Sequence, residues 1–253
     1  MTKKQQYGLL YRILSVIGIV LIIVTFYSPI WWVALQSIQY PKAMYPQGIR
    51  IVFKFDGVYN GCEGVREREV LAMDAGADCL IEMNKINHFI GMYPIVQGVN
   101  DLNEEGEHVR YPVYAAESIP WEEIPGFLKF LDFVLRNSKY FFALFVIAVL
   151  VFMLYSKKLL AWLALLAGAI PFYFLGLYMY ALYWYGHNMG LHGGGAFAGI
   201  KPFMPTVFGE GKVAQFTTLS YPYYGFFLAL LAFVVLLLAV LMKRKYLKQQ
   251  TEN

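Results

Sequence analysis

Four stretches of this chain are apolar over a length that a water-soluble domain has little use for, and they limit the fold before any other feature does. They run from Ile13 to Leu35, Tyr140 to Ser156, Leu159 to Tyr185 and Gly225 to Met242. A hydrocarbon core of roughly 30 Å needs about 20 apolar residues at helical rise, because backbone polar groups in lipid must be paired within the segment. Each stretch therefore predicts a transmembrane helix. With 58% of its residues hydrophobic and 18% aromatic, a chain of 253 residues is too apolar to be read as a soluble domain. The second stretch is the shortest, and Lys139 and Lys157 at its ends can snorkel to the interfaces. Lys157 and Lys158 leave little room for a loop, so the second and third spans should form a tight hairpin. The fourth, "FFLALLAFVVLLLAVLM", has no polar residue before "KRK".

Basic residues beside the spans set the orientation. Lys3, Lys4 and Arg12 precede the first span, Lys157 and Lys158 sit in the hairpin, and Lys243, Arg244, Lys245 and Lys248 follow the fourth. Four crossings put all three sets on one side, which makes that side the cytoplasm and both termini cytoplasmic. The remaining 12 of 21 basic residues share the chain with 16 of 17 acidic ones, so the net charge of +4 divides into about +8 inside and −4 outside. The basic balance reports topology and gives no reason to expect nucleic acid. A charged start before an apolar run also suits a cleaved signal peptide. An uncleaved anchor is preferred, because the run continues through "YSPIWWVAL" without a small-x-small cleavage pattern. Trp31 and Trp32 then fall at the outer interface.

The fold expected is an α-helical membrane protein with a small α+β extracytoplasmic domain between helices 1 and 2. Its parts are 1–35, the N-terminus and first helix; 36–138, the external domain; 139–185, helices 2 and 3; 186–224, an external Gly/aromatic loop; and 225–253, helix 4 with a basic tail. Within the domain, "IRIVFKF" puts Ile49, Ile51, Phe53 and Phe55 on one face at period two, with Arg50 and Lys54 outward, the pattern of a strand. From Gly64 to Met92 the pattern is mostly helical, with a break at Gly76, and the Gly- and Asn-rich run to Gly106 marks loops. Phe127, Leu128, Leu131 and Leu135 form one helical stripe. It suits either an interfacial helix on the outer leaflet or a lid on the domain's own core. The second loop shows no evident element, and its aromatic and methionine content predicts that it packs on the domain or the membrane surface.

The chemistry-bearing residues are few. All four histidines, His88, His108, His187 and His192, are predicted external. His88 lies near Met83 and Met92, and His187 and His192 bracket Met189. Imidazole with thioether is a soft donor set that suits copper, Cu(I) above all. His88 and Met92 share a helical face, although Gly91 can end a helix there. The same spacing also arises when methionines fill gaps in a core with no metal. No CxxC, HExxH, GxSxG, P-loop or dinucleotide fingerprint is present. The four spans carry no charge of the kind an ion pathway needs. Cys62 and Cys79, an external pair, read as a disulfide worth roughly 3 kcal/mol in the chain-entropy account, or as a redox or copper-thiolate pair.

Two stretches taken together, "INHFIGMYP" and "YGHNMGLHGGG" followed by "FMPTVFGEGKVAQFTTLSYP", resemble small multispanning membrane proteins encoded beside nitrous oxide reductase in respiratory gene clusters. The matching positions are Asn87, His88, Gly91, Met92, Gly186, His187, Asn188, Phe203 and Pro205. The resemblance implies an accessory role for a periplasmic copper enzyme in the bacterial inner membrane: handling copper, docking the enzyme, or passing electrons. Cys62, Cys79 and the glycines at 193 to 195 stand outside the family pattern. The ligands expected for copper are His88, Met92, His187, Met189 and His192. Two further readings stay open. One is a docking subunit without metal, in which the same motifs clamp loop to domain. The other is an oxidoreductase subunit that touches quinone along "FYFLGLYMYALYWYGHN".

Overall fold

The computed structural model describes residues 2–38, 48–61, 125–188, 201–213 and 216–251. The helical pattern after Gly64, the loops to Gly106, and Cys62, Cys79, His88, Met92, His108, Met189 and His192 lie outside the described residues. The chain divides into two compact units. One is helical (Met1–Ile30, Ser138–Leu177, Tyr223–Asn253) and the other holds a sheet (Trp31–Asn137, Tyr178–Pro222). Three helices are each long and apolar enough to cross a membrane, and two shorter ones qualify together as a bent pair.

Helix α1 (Lys3–Tyr27) opens on a capping box: Thr2 Oγ1 accepts the Gln5 N–H at 3.3 Å, and Gln5 Oε1 accepts the Thr2 N–H at 2.9 Å. It stops at Ser28, whose φ of −89° and ψ of 143° are extended, the conformation that a following proline favours. The expected first span, Ile13 to Leu35, is therefore too long at its end. Trp31 and Trp32 do not continue a helix but begin a strand, β1 (Trp31–Gln36).

Helix α2 (Gly126–Leu154) joins the amphipathic stripe and the second span into one element. No separate interfacial helix exists there. Leu128, Leu131 and Leu135 are buried, while Asp132 and Arg136 pair at 2.8 Å one turn apart on the polar side. The stretch expected as the third span is a bent pair of helices, α3 (Ala161–Gly168) and α4 (Ile170–Asn188), with an angle of 46° between them. The break falls at Ala169, and Pro171 supplies a reason, since it lacks the N–H that would continue the ladder from α3. Helix α5 (Tyr224–Thr251) continues through "KRK" to Thr251, well past the expected end at Met242.

In the helical unit α1 and α5 run antiparallel, as their contacts show. Gly8 faces Tyr246, Gly18 faces Leu236, and the Gly225 N–H donates to the Pro29 carbonyl at 3.0 Å. The seam is made of small residues, with Ala229, Ala232 and Ala239 fully or almost fully buried beside Leu236 and Ile22. A Cβ on Gly18 would overlap the Leu236 side chain, so the close approach requires glycine. The outer faces carry Ile13, Val16, Val20, Phe227, Leu231 and Val234, all exposed. Apolar faces of this extent are suited to lipid.

One buried cation stands at the far end of this seam. Lys243 is fully buried, and its Nζ donates to the Phe152 carbonyl and lies 4.3 Å from the centre of the Phe152 ring. Phe152 is in the last turn of α2, where carbonyls lack intrahelical partners. Lysine is thus used as a cap supplied by a neighbouring helix.

The sheet has five antiparallel strands in the order β3-β2-β1-β5-β4. They are β1, β2 (Ile49–Lys54), β3 (Gly57–Gly61), β4 (Gly209–Val213) and β5 (Phe216–Pro222). Ile51 is buried and Phe53 packs its ring 5.3 Å from Tyr178, as the period-two pattern predicts. Phe55 has left the strand for the turn into β3. Arg50 lies on the opposite face, 5.2 Å over the Trp32 ring. The second loop, which showed no element in sequence, contributes β4 and β5, and β5 pairs with β1 so that Val33 faces Ser220. The signal was missed because the inward positions of "FTTLSYP" are Phe216, Thr218 and Ser220, two of them polar.

Candidate functional site

The sequence-predicted site residue that the structure describes is His187, on the last turn of α4. Its Nδ1 lies 2.8 Å from the Tyr183 carbonyl oxygen, and its ring lies 4.0 Å from the Tyr183 ring. A carbonyl accepts and never donates, so Nδ1 carries the hydrogen in this bond. In the neutral ring Nε2 then keeps its lone pair, on an exposed side chain. Asn188 makes the same kind of bond one residue on, from Nδ2 to the Trp184 carbonyl at 2.7 Å. These two side chains fold back on the helix end.

The loop that returns from the helix is held against it. The Phe203 N–H donates to the Gly186 carbonyl at 3.3 Å. Gly186 is buried, and a Cβ there would overlap the Phe203 carbonyl and crowd Pro205. Gly186, His187, Asn188, Phe203 and Pro205, separated in sequence, therefore meet in one place. Met204, next in the chain to this contact, is exposed, as is Phe208, whose ring lies 5.5 Å from that of Tyr221.

A second anchor holds α4 farther back. Ser220 Oγ donates to the Val207 carbonyl at 2.7 Å, so its own hydrogen is committed. It then accepts the Trp31 indole N–H at 2.9 Å and the Tyr178 hydroxyl hydrogen at 3.1 Å. One donor and two acceptor positions are what a serine hydroxyl has, and all are filled. Ser220 is fully buried, with Tyr178 and Trp31 nearly so. This knot joins β1, β5, α4 and the residue 207 backbone. From sequence Trp31 is expected at the membrane interface and Tyr178 along the quinone stretch, while Ser220 has no expected role; the alternation along β5 was the signal available.

The aromatic stretch considered for quinone spends several rings on the protein itself. Tyr178 joins the knot, Tyr180 and Trp184 pack against Phe127 at 4.9 and 5.4 Å, and Tyr183 lies on His187. Phe127 thus covers α4. Among the described residues, no group of three His, Cys, Asp or Glu side chains is gathered for a metal. The other expected copper ligands, His88, Met92, Met189 and His192, and the pair Cys62 and Cys79 lie outside them.

The class defined by this fold is a mostly helical protein with membrane-type helices and a small antiparallel sheet that carries a pinned helix end. No family model, curated protein or solved structure matches the chain.

Proposed function

We propose that the protein is a membrane-anchored accessory protein that supports an extracytoplasmic copper enzyme, handling Cu(I) at the end of α4. The supporting observation is the exposed His187 ring, whose Nδ1–H is held by the Tyr183 carbonyl, which leaves Nε2 as the nitrogen with a lone pair for a metal. Histidine ligands to metals are commonly oriented by such a bond from the other ring nitrogen. A soft metal is the fitting cargo because methionines flank the motif, at Met189 beside His187 and His192 and at Met92 beside His88. The link to nitrous oxide reductase rests on the resemblance of the Asn87–Met92 and Gly186–Pro205 stretches.

In this reading the bent pair α3–α4 is one crossing. The chain then crosses a bacterial inner membrane four times, with both termini cytoplasmic and the sheet outside, as the basic residues beside the helices favour.

The test is Cu(I) titration of the purified chain against a competing chelator, beside His187→Ala. Binding near one equivalent that weakens on the order of tenfold or more in the variant supports copper handling, the loss expected on removal of a metal-site group. No binding by the parent chain overturns it. A second reading, docking without metal, is favoured by the Gly186–Phe203 contact, next to which Met204 is exposed. It predicts that His187→Ala leaves partner binding intact.

A further inference from the structure

The basic residues beside the apolar helices have a specific placement in the helical unit. The antiparallel seam sets the start of α1 against the end of α5. The Tyr11 and Tyr246 rings are 5.6 Å apart, and Lys245 Nζ lies 5.6 Å over the Tyr7 ring. Arg12, exposed, lies on the Tyr11 ring and donates to its hydroxyl at 3.3 Å. The turn after α2 comes to the same end, because Phe152 packs on Tyr11 at 6.4 Å and Lys243 holds its carbonyl. That turn carries Lys157 and Lys158, both exposed. No Asp or Glu occurs in residues 1–30, 138–177 or 223–251, and Glu252 is the one acidic side chain in the sequence of this unit, against the ten basic residues of its three segments.

We propose that this end of the helical unit is a binding site for the headgroup of an anionic phospholipid, with the phosphodiester met by Arg12 and Lys245. The rings of Tyr7 and Tyr246 form its floor. Arginine and lysine beside apolar helices meet the phosphate layer at its own depth, and tyrosine favours the same layer. Continuity with exposed Leu9, Leu10 and Ile13 selects a lipid over a nucleic acid or an acidic protein, since these residues offer acyl chains a surface next to the charges. Lys243, turned inward, belongs to the helix packing and not to the site.

The full chain, purified in a neutral detergent, is unfolded thermally with added phosphatidylglycerol, phosphatidylcholine, glycerol 3-phosphate or a short oligonucleotide. Phosphatidylglycerol is expected to raise the midpoint while the other three leave it in place. In Arg12→Gln/Lys245→Gln that rise should fall by roughly half or more, and in Lys201→Gln/Lys212→Gln, an equal charge change in the sheet unit, it should persist. An equal rise with phosphatidylcholine overturns the proposal, as does a rise with glycerol 3-phosphate or oligonucleotide, or one retained in the first variant. Should that variant not fold, lipid adducts of the parent chain in native mass spectrometry decide the matter. Retention of phosphatidylglycerol over phosphatidylcholine supports the site, and equal retention removes it.

Discussion

Ser220 carries more structure than its size suggests. Its hydroxyl is saturated by Trp31, Tyr178 and Val207, so Ser220→Ala leaves an indole N–H, a phenol and a carbonyl without this partner in a dry place. The expected cost is about 1–3 kcal/mol, measured as a lower unfolding midpoint of the purified chain. A conservative Ser220→Thr should not rescue it fully, because the extra methyl enters a fully buried site. His187 shows the contrary case. Its residue type marked it in the sequence, but the tautomer depends on a helix end that brings Tyr183 O within reach. Hydropathy could find neither the inward serine nor the buried Lys243, since both read as surface residues by type.

At the scale of elements, breaks and close approaches were the least legible features. Pro29 ends α1 early and Pro171 accompanies the break between α3 and α4, and each was present in runs that looked uninterrupted by hydropathy. The α1–α5 seam rests on Gly18 against Leu236, which is fully buried and has no room to retreat. Gly18→Val should therefore push the helices apart and destabilise the chain by about 1–3 kcal/mol. The check is thermal unfolding in detergent with Gly176→Val as control, since nothing lies within 4 Å of a Cβ at that position. Strand β2 was readable from its alternating apolar residues. Strand β5 was not, because what faces inward there is hydrogen-bonded instead of apolar.

For the molecule as a whole, the bent pair decides the topology. If α3 and α4 make one crossing, fluorescent-protein fusions at either terminus report the cytoplasm and a phosphatase fused after Val213 is active. If the pair is re-entrant, the two termini report opposite sides, and the four-crossing reading fails. By itself the sequence determined the membrane-type helices, the basic residues clustered beside them and the existence of a polar segment between them, because these follow from length and composition acting against lipid and water. Tertiary structure decided what those segments do with one another. The sheet is assembled from strands at both ends of the chain, Trp31–Gln36 and Phe216–Pro222, and no local pattern encodes a pairing across that separation. The meeting of Gly186 with Phe203, and of Lys243 with Phe152, likewise arises when distant backbone groups need partners that their own neighbours in the chain do not provide.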